Sequence, residues 1–237
     1  MRRMADGGPA WGIIVAAGRS TRMDGVDKVY AELLGRPLVA WTLSAFRRCT
    51  EVERLVVVAA PERVAQMEDL VREWRLGERA TVVAGGAERR HSVRAGLDAA
   101  TGAALVAVHD GARPLVTPEL IAQGVALARE SGAAVCGIPA RDTVKDVGGE
   151  PPVVRATIDR ARAWLAQTPQ VFDRDLLLRA HDAAPDAAVT DDAALVERLP
   201  HDVRMYVGAM WNLKVTSRED LVVAEALLRA RLDALAR

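Results

Sequence analysis

Short apolar segments alternate with longer amphipathic ones over roughly the first 140 residues, and this alternation limits the possible folds more than any other feature. The apolar segments are rich in Val, Ile and Ala and cover 12–16, 54–60, 80–84, 104–109 and 133–139. The amphipathic segments between them cover 37–49, 61–74, 91–100 and 118–131. Strands that are apolar throughout are typical of sheets covered on both faces, and a strand–helix–strand repeat gives right-handed crossovers. The sequence therefore predicts an α/β protein with a mostly parallel sheet and helices on both faces.

The alternation stops after residue 139, where the sequence becomes polar. Between Arg141 and Asp159, two glycines and two prolines are flanked by residues that favour strands. This pattern predicts a β-hairpin arm over 141–159 that projects from the main body. Because such an arm has little core of its own, we expect it either to pack on a partner chain or to be mobile.

The remainder of the chain returns to regular elements. Helices are predicted near 173–181 and 191–199, a strand near 203–207, and a closing helix from 217 onwards, with prolines at the helix entrances (Pro37, Pro61 and Pro118). We find no internal repeat or low-complexity segment, and we expect a single domain over 1–237.

Composition narrows the functional classes. Half of the residues are hydrophobic, which is typical of a globular protein, and Lys+Arg and Asp+Glu both number 32. A neutral total disfavours a dedicated nucleic-acid binder, although a few local cations suffice for an anionic small molecule. No segment is typical of a signal peptide or a membrane span, and Cys49 and Cys136 lie in apolar segments without a paired motif. We expect buried, reduced cysteines in a cytoplasmic protein with no membrane or nucleic-acid partner.

The strongest local motif is the loop AAGRSTRM, Ala16–Met23, directly after the first predicted strand. Its small residues would let backbone N–H groups approach phosphate oxygens beyond the carboxyl end of a parallel strand. The loop and its continuation carry three cations, Arg19, Arg22 and Lys28. The glycine spacing matches neither the dinucleotide fingerprint nor the Walker P-loop. A phosphate-binding loop is the functional interpretation, and a basic, solvated surface loop is the alternative.

The second motif is HDGARP, which covers 109–114 at the end of the fourth predicted strand. Asp110 is well placed there to hold Mg²⁺, which favours carboxylate and phosphate oxygens. Alternatively, Asp110 caps the turn that leads to the helix at Pro118. We expect His109 to be structural.

Three further segments give weaker signals. Gly86 follows a strand and would let the backbone approach a flat base that Ser92 could hydrogen-bond, although Ser92 could equally help to start the next helix. Thr143 and Arg160 lie at the two roots of the predicted arm, where a hydroxyl and a guanidinium suit phosphate, or else form surface ion pairs. Lys214 lies alone in a β-like segment before the last helix and indicates little by itself.

In this order, the segments resemble the 2-C-methyl-D-erythritol 4-phosphate cytidylyltransferases of non-mevalonate isoprenoid synthesis. The resemblance runs from about Trp11 to the end and rests on AAGxxxRM, Lys28, HDGARP, RDTVK, TIDR, TPQ, TDDA and NLKVT. It implies a Rossmann-like, Mg²⁺-dependent homodimer that dimerises through the arm. Such an enzyme transfers CMP from CTP to the polyol phosphate and releases pyrophosphate.

The resemblance also implies roles for individual residues. It places Asp110 on Mg²⁺ and assigns Thr143 and Arg160 to the neighbouring subunit's polyol phosphate. It implies three catalytic residues, Arg22, Lys28 and Lys214. It implies a nucleotide site formed by Ala16, Ala17, Gly18, Gly86, Ser92 and Asp110, and a substrate site formed by Arg113, Thr143 and Arg160.

The chain departs from the family pattern at three places. Ser20 replaces a common second glycine, Asp27-Lys28-Val29 replaces Pro-Lys-Gln, and Ala87 replaces a frequent acidic residue. Two other functions therefore stay open: a cytidylyltransferase for another polyol phosphate such as ribitol 5-phosphate, and a catalytically silent nucleotide-binding protein of the same fold. A uridylyltransferase is disfavoured, and so is a guanylyltransferase, for which a larger purine would demand a different base pocket.

Overall fold

A computed structural model of the chain describes residues 8–18, 28–76, 79–185 and 189–236. The strands in these residues are β1 (Ala10–Ala16), β2 (Glu32–Leu33), β3 (Arg36–Pro37), β4 (Val52–Ala59), β5 (Ala80–Ala84), β6 (Leu105–Asp110), β7 (Ala133–Pro139), β8 (Lys145–Gly148), β9 (Val153–Thr157), β10 (Trp164–Asp173) and β11 (Arg204–Val207). The α-helices are α1 (Leu38–Arg48), α2 (Val64–Glu73), α3 (Arg89–Ala99), α4 (Pro118–Ser131), α5 (Arg174–Ala183), α6 (Ala193–Val196) and α7 (Arg218–Leu235).

A seven-stranded sheet in the order β11-β7-β10-β6-β1-β4-β5 organises the molecule. Strand β1 pairs in parallel with both β4 and β6, and β4–β5 and β7–β11 are parallel as well. Only β10 is antiparallel to its neighbours in this sheet, and it lies between β6 and β7. The prediction of a mostly parallel sheet is confirmed.

Helices cover both faces of this sheet, as predicted. One core cluster joins α1, α2 and α4 to the face that carries Ile14, with Phe46, Met67 and Ile121 among its buried side chains. The other joins α3, α5 and α6 to the face that carries Ile13. Their fully buried apolar side chains contribute roughly 1.5–3 kcal/mol each relative to exposure, so the two faces hold the strand ends in fixed positions. Both cysteines are buried and free, as expected.

The observed helix bounds agree best with the predicted ones where the helix has strong capping residues. Helix α4 was predicted to the residue: the Thr117 hydroxyl accepts a hydrogen bond from the Leu120 N–H, Pro118 begins the first turn, and Gly132 ends the helix at φ 78°. The predicted helix over 61–74 divides into a 3₁₀ turn, Pro61–Arg63, followed by α2. Pro37 is the N-cap of α1, one residue before the first turn.

The structure differs from the sequence prediction at two places after the arm. The helix predicted near 191–199 is present but shorter: α6 covers only Ala193–Val196, and the N–H groups of Asp192, Ala193 and Ala194 donate to the side chains of Gln170 and Asp191. Strand β10 was not predicted at all. Its buried stretch includes Gln167, Thr168 and Gln170, which interrupt the apolar pattern from which buried strands are recognised.

The predicted arm over 141–159 is confirmed as a hairpin. Strands β8 and β9 pair antiparallel, with Lys145 opposite Thr157. At the root, the Ile158 N–H donates to Val144 O at 2.9 Å, and Arg160 Nη1 donates to Arg141 O at 2.8 Å. Among the described residues, no helix combines the length and apolarity needed to cross a membrane.

Candidate active site

A cavity of about 600 Å³ opens at the carboxyl ends of the central parallel strands. In open α/β sheets, ligands bind at this edge. Residues at or just beyond the ends of β1, β4, β5 and β6 line the cavity, and Lys28 and Lys214 approach it from other segments. The lining residues that the argument uses are Ala17, Gly18, Lys28, Gly86, Arg89, Ser92, Asp110 and Lys214.

The first wall of the cavity is a tight glycine turn after β5. A Cβ on Gly85 would lie 2.5 Å from Ala17 Cβ and 2.7 Å from Ser92 Oγ, so this position accepts only glycine without rearrangement. The Gly86 N–H donates to Ser92 Oγ at 3.2 Å, and the Ser92 hydroxyl donates to Glu88 O at 3.3 Å. Ser92 therefore ties the turn to the start of α3 while it lines the cavity.

The loop after β1 is described only at its beginning. Ala17 and Gly18 line the cavity, whereas Ala16 is buried at the end of β1, paired with Ala59 of β4. Arg22 lies outside the described residues, as do Arg19, Ser20 and Asp27.

Lys28 is the first described residue after the gap at 19–27, and it lines the cavity. Its segment is fixed by the first turn of α1, because the Val39 N–H donates to Val29 O at 3.0 Å and the Leu38 N–H donates to Ala31 O at 2.8 Å. Val29, one of the departures from the family pattern, is buried against the core. The neighbouring fold therefore positions the Lys28 backbone.

Asp110, the last residue of β6, is the acidic centre of the cavity floor. Its carboxylate lies 3.0 Å from Lys214 Nζ, 3.3 Å from Arg89 Nε and 3.7 Å from Arg113 Nε. Burial by itself would raise the pKa of Asp110, but the three cations hold it well below its usual range. The carboxylate is therefore ionised and points at cations. The Asp110 backbone carbonyl, and not the side chain, accepts the Arg113 N–H that closes the turn.

A buried hydrogen-bond chain holds the Asp110 backbone. His109 Nε2 lies 3.3 Å from Arg113 O, which can only accept, so Nε2 carries the proton. Burial lowers the pKa of His109 to about 3, and the neutral ring therefore accepts at Nδ1 from the Thr168 hydroxyl, 2.9 Å away. Thr168 Oγ1 in turn accepts the Asp110 N–H at 3.2 Å. His109 is structural, as expected, and β10 supplies its partner.

Arg113 does not line the cavity, although it is close to Asp110. Its Nη1 donates to Asn212 O at 2.8 Å, and Asn212 Nδ2 donates to Thr168 O at 2.8 Å. These bonds fix the segment that carries Lys214 against the end of β6. The structure thus places Arg113 as a support for Lys214, and direct contact of Arg113 with substrate stays a prediction.

Comparison with known proteins agrees with this arrangement. A sequence model of the family described as IspD, 2-C-methyl-D-erythritol 4-phosphate cytidylyltransferase, matches residues 11–230. A 2-C-methyl-D-erythritol 4-phosphate cytidylyltransferase of Dehalococcoides mccartyi (strain CBDB1) is 41% identical over 92% of this chain and 95% of its own length. The chain belongs to the IspD family.

Solved structures of the family share the fold. The 4-diphosphocytidyl-2C-methyl-D-erythritol synthase of Anaerococcus prevotii DSM 20548 superposes with a TM-score of 0.84 at 29% identity, covering 97% of this chain and 100% of that one. The 2-C-methyl-D-erythritol 4-phosphate cytidylyltransferase of Thermus thermophilus gives a TM-score of 0.77 at 36% identity, with coverages of 93% and 99%. The Rossmann-like fold implied by the sequence is therefore confirmed.

Two predicted substrate residues of this IspD-family chain lie away from the cavity. Thr143 and Arg160 are both exposed at the root of the arm, as the hairpin predicts, but neither lines the cavity of its own chain. Their assignment to the polyol phosphate stays a prediction that requires a second subunit.

Sequence reasoning missed Arg89, the first residue of α3. Its side chain lines the cavity and joins Asp110 to the buried Asp192, with Nη1 2.8 Å from Asp192 Oδ2. In the sequence it is one of two adjacent arginines at a helix start, which resembles a solvated turn. Its position just after the glycine turn at a strand end was the signal that could have identified it.

The described residues contain no group of three or more His, Cys, Asp or Glu side chains arranged to hold a metal ion. Mg²⁺ in nucleotide enzymes is usually held by one or two carboxylates together with phosphate oxygens and water. Asp110 offers one ionised carboxylate in the cavity, so the residues present fit Mg²⁺ only in company with a bound nucleotide.

Proposed function

We propose that this chain transfers CMP from CTP to 2-C-methyl-D-erythritol 4-phosphate, giving 4-diphosphocytidyl-2-C-methyl-D-erythritol and pyrophosphate in isoprenoid precursor synthesis. One observation carries this proposal beyond family membership. Arg89 and Lys214 contact the Asp110 carboxylate, and Lys28 lines the same cavity at the carboxyl ends of the strands. Such a cavity suits an anionic nucleotide.

The reaction needs charge neutralisation more than proton transfer. An ionised phosphate oxygen of the polyol phosphate attacks the α-phosphorus of CTP in line. The bond from that phosphorus to the oxygen that bridges to the β-phosphate breaks, and pyrophosphate leaves with the electron pair. No general base is required, so the protein contributes positioning and electrostatic stabilisation. Lys28 and Lys214 are the described cations that we assign to this task, together with Arg22.

The glycine turn suits the base. Gly86 and Ala17 present backbone and small side chains, and the cytosine ring would lie against them with Ser92 nearby. Because Ser92 Oγ already accepts from the Gly86 N–H and donates to Glu88 O, we assign it mainly to shaping the turn. The cavity volume, about 600 Å³, is within the range of pockets that bind drug-sized ligands.

We infer that Mg²⁺ is required and that Asp110 holds it. Bound there, the ion would supply Lewis-acid stabilisation of nucleotide oxygens. The test is activity and CTP binding across a Mg²⁺ titration with Asp110→Asn, using Asp98→Asn on the outer side of α3 as the control. Full activity in excess chelator would contradict the requirement.

We also infer a homodimer in which Thr143 and Arg160 reach the cavity of the partner subunit. Support comes from apolar side chains that this chain leaves exposed on the arm and on the neighbouring sheet edge, namely Val147, Val153, Val154, Leu165, Met205 and Val207. A second copy could cover these side chains and bring the arm roots to the substrate. A cytoplasmic location also stays a prediction.

Pyrophosphate release tests the function directly. Purified protein with Mg²⁺ and CTP is offered 2-C-methyl-D-erythritol 4-phosphate or, in parallel, ribitol 5-phosphate. We expect release with the first substrate and none with the second. Release with ribitol 5-phosphate alone would show that the enzyme acts on another polyol phosphate. No release with either, while CTP still raises the unfolding temperature, would favour a silent nucleotide-binding protein.

A further inference from the structure

Arg89 connects two buried carboxylates that belong to different parts of the fold. Its Nε lies 3.3 Å from Asp110 Oδ1 at the end of β6, and its Nη1 lies 2.8 Å from Asp192 Oδ2. The Asp192 side chain is 2% exposed and does not line the cavity, whereas Arg89 does. Among the described residues, Arg89 is therefore the link between Asp192 and the cavity.

The turn that carries Asp192 is rigidly attached to β10. Gln170 Oε1 accepts the N–H groups of Asp192 and Ala193, both at 3.2 Å, and Gln170 Nε2 donates to Asp191 Oδ2 at 2.8 Å. Asp191 Oδ1 accepts the Ala194 N–H at 3.1 Å. With its backbone held at these points, the Asp192 carboxylate is a fixed anchor and not a mobile surface acid.

The anchor and Arg89 depend on each other. Burial alone would lower the pKa of Arg89, but Asp192 and Asp110 together raise it above its ordinary value. Burial raises the pKa of Asp192, and the Arg89 charge opposes this rise. The other Asp192 oxygen lies 4.0 Å from His181 Nε2, whose pKa burial lowers. Arg89 is therefore the permanent cation that contacts Asp192 among the described residues.

Nucleotide binding changes the balance of charge around Arg89. A triphosphate in the cavity attracts every cation that lines it, and a long arginine side chain can follow the phosphates and leave Asp110. We propose that Asp192 is a positioning residue, whose carboxylate anchors Arg89 so that the guanidinium keeps its place beside Asp110 when CTP binds. This inference rests on the proposed function, because it concerns the CTP site of that reaction.

A second ion pair provides a matched control. Arg94, also on α3, pairs with Asp182 at the end of α5, and both side chains are well exposed. Like Arg89 and Asp192, this pair links α3 to a neighbouring element on the same face of the sheet, but it does not line the cavity. Asp182→Asn removes one carboxylate charge next to α3 and leaves the nucleotide site intact.

The experiment compares Asp192→Asn, Arg89→Gln, the double variant and Asp182→Asn. Steady-state kinetics give kcat and the two KM values, and calorimetry with Mg²⁺ gives the Kd for CTP. We expect the CTP KM and Kd to rise about 10- to 100-fold in Asp192→Asn, as for other residues that orient a binding group indirectly. The KM for the polyol phosphate should not change, and Asp182→Asn should match the wild type.

The double variant separates positioning from folding. Each single change removes one member of the Arg89–Asp192 ion pair and should lower the unfolding temperature. Arg89→Gln/Asp192→Asn removes both charges, so the unfolding temperature should recover while the CTP KM stays high. A wild-type CTP KM in Asp192→Asn or in the double variant would overturn the proposal. If Asp192→Asn does not fold, the double variant still tests the anchor, because its CTP KM should equal that of Arg89→Gln if Asp192 acts through Arg89, and a higher KM would contradict this. If the wild type releases no pyrophosphate, the proposed function fails, and the CTP Kd still tests the anchor.

Discussion

Lys214 Nζ lies 3.0 Å from Asp110 Oδ2, so a lysine from the segment before the last helix neutralises a carboxylate at the end of a central strand. Arg113 helps to hold the segment that carries Lys214, because its Nη1 donates to Asn212 O. The Lys214 side chain is 37% exposed, whereas that of Asp110 is 11% exposed. Lys214 can therefore face a ligand while its segment stays fixed.

Lys214→Met should lower kcat by about a hundredfold, the scale seen when one preorganised charge-stabilising group is lost. Methionine keeps most of the side-chain volume and removes the charge that faces the cavity. Pyrophosphate release at saturating substrates measures the effect. Arg229→Met, which breaks an exposed ion pair on α7, is the control and should leave kcat unchanged. A kcat within twofold of the wild type in Lys214→Met would remove Lys214 from the catalytic residues.

Lys28→Ala should lower turnover by roughly two orders of magnitude or more, because its charge would stabilise the negative charge that develops during transfer. The bonds that hold its segment to α1 are accepted by the backbone carbonyls of Val29 and Ala31, so these bonds should persist in the variant. Single-turnover formation of pyrophosphate checks this, with circular dichroism for the fold. Arg72→Ala on the exposed side of α2 is the control. Unchanged turnover would contradict the role of Lys28.

The sequence predicted the alternating elements well because each depends on local chemistry. Strand β7 and helix α4 were predicted to the residue, and the apolar runs of β1, β4 and β6 were predicted within two residues. Asp110 and Lys214 were also predicted as site residues, since both follow from motif order, and the structure brings them into contact.

The parts of the fold and of the site that were not predicted depend on contacts between segments that are distant in sequence. Strand β10 is buried through polar side chains whose partners are elsewhere in the chain: Gln167 donates to Ala209 O at 2.9 Å, and Thr168 bonds to His109. Single-sequence periodicity cannot identify such a strand. Arg89 was missed for a related reason, because its importance comes from Asp110 and Asp192, which are far from it in sequence.

Arg160→Ala should raise the KM for 2-C-methyl-D-erythritol 4-phosphate more than the KM for CTP. Arg160 is exposed at the arm root and does not line the CTP cavity of its own chain, and we assign it to the partner's polyol phosphate. Initial rates with each substrate varied in turn measure both KM values. Arg162→Ala, in the same 3₁₀ turn, is the control. Equal changes in the two KM values would contradict this placement.

Val153→Asp should weaken the dimer, because Val153 is 61% exposed on the arm surface that we expect a second subunit to cover. A charge buried without a partner in an interface opposes association. Sedimentation velocity should show a shift from dimer to monomer, accompanied by a higher polyol phosphate KM. Val222→Asp on α7, where the valine is 69% exposed, is the matched control and should remain dimeric. A wild-type protein that is monomeric at assay concentrations would exclude the arm-mediated dimer.

Stability should fall as the pH decreases from about 6.5 towards 4, partly because of His109. The folded pKa of His109 is about 3 and its ordinary value is 6.5, so in this window the unfolded chain binds a proton that the folded protein does not. Each such proton lowers the free energy of unfolding by about 1.4 kcal/mol per pH unit. His181, whose pKa burial also lowers, acts in the same direction.

His109→Gln should therefore have a lower free energy of unfolding than the wild type at neutral pH, because it loses the bonds to Thr168 and Arg113. Between about pH 6 and 4, however, its free energy of unfolding, measured with urea, should fall less steeply, by about 1.4 kcal/mol per pH unit, which corresponds to one proton. The range of about pH 7 to 8 is the internal control, since His109 is neutral there in both the folded and the unfolded chain. Parallel slopes for the variant and the wild type at low pH would show that His109 is protonated in the folded protein, and would exclude the neutral tautomer that links it to Thr168.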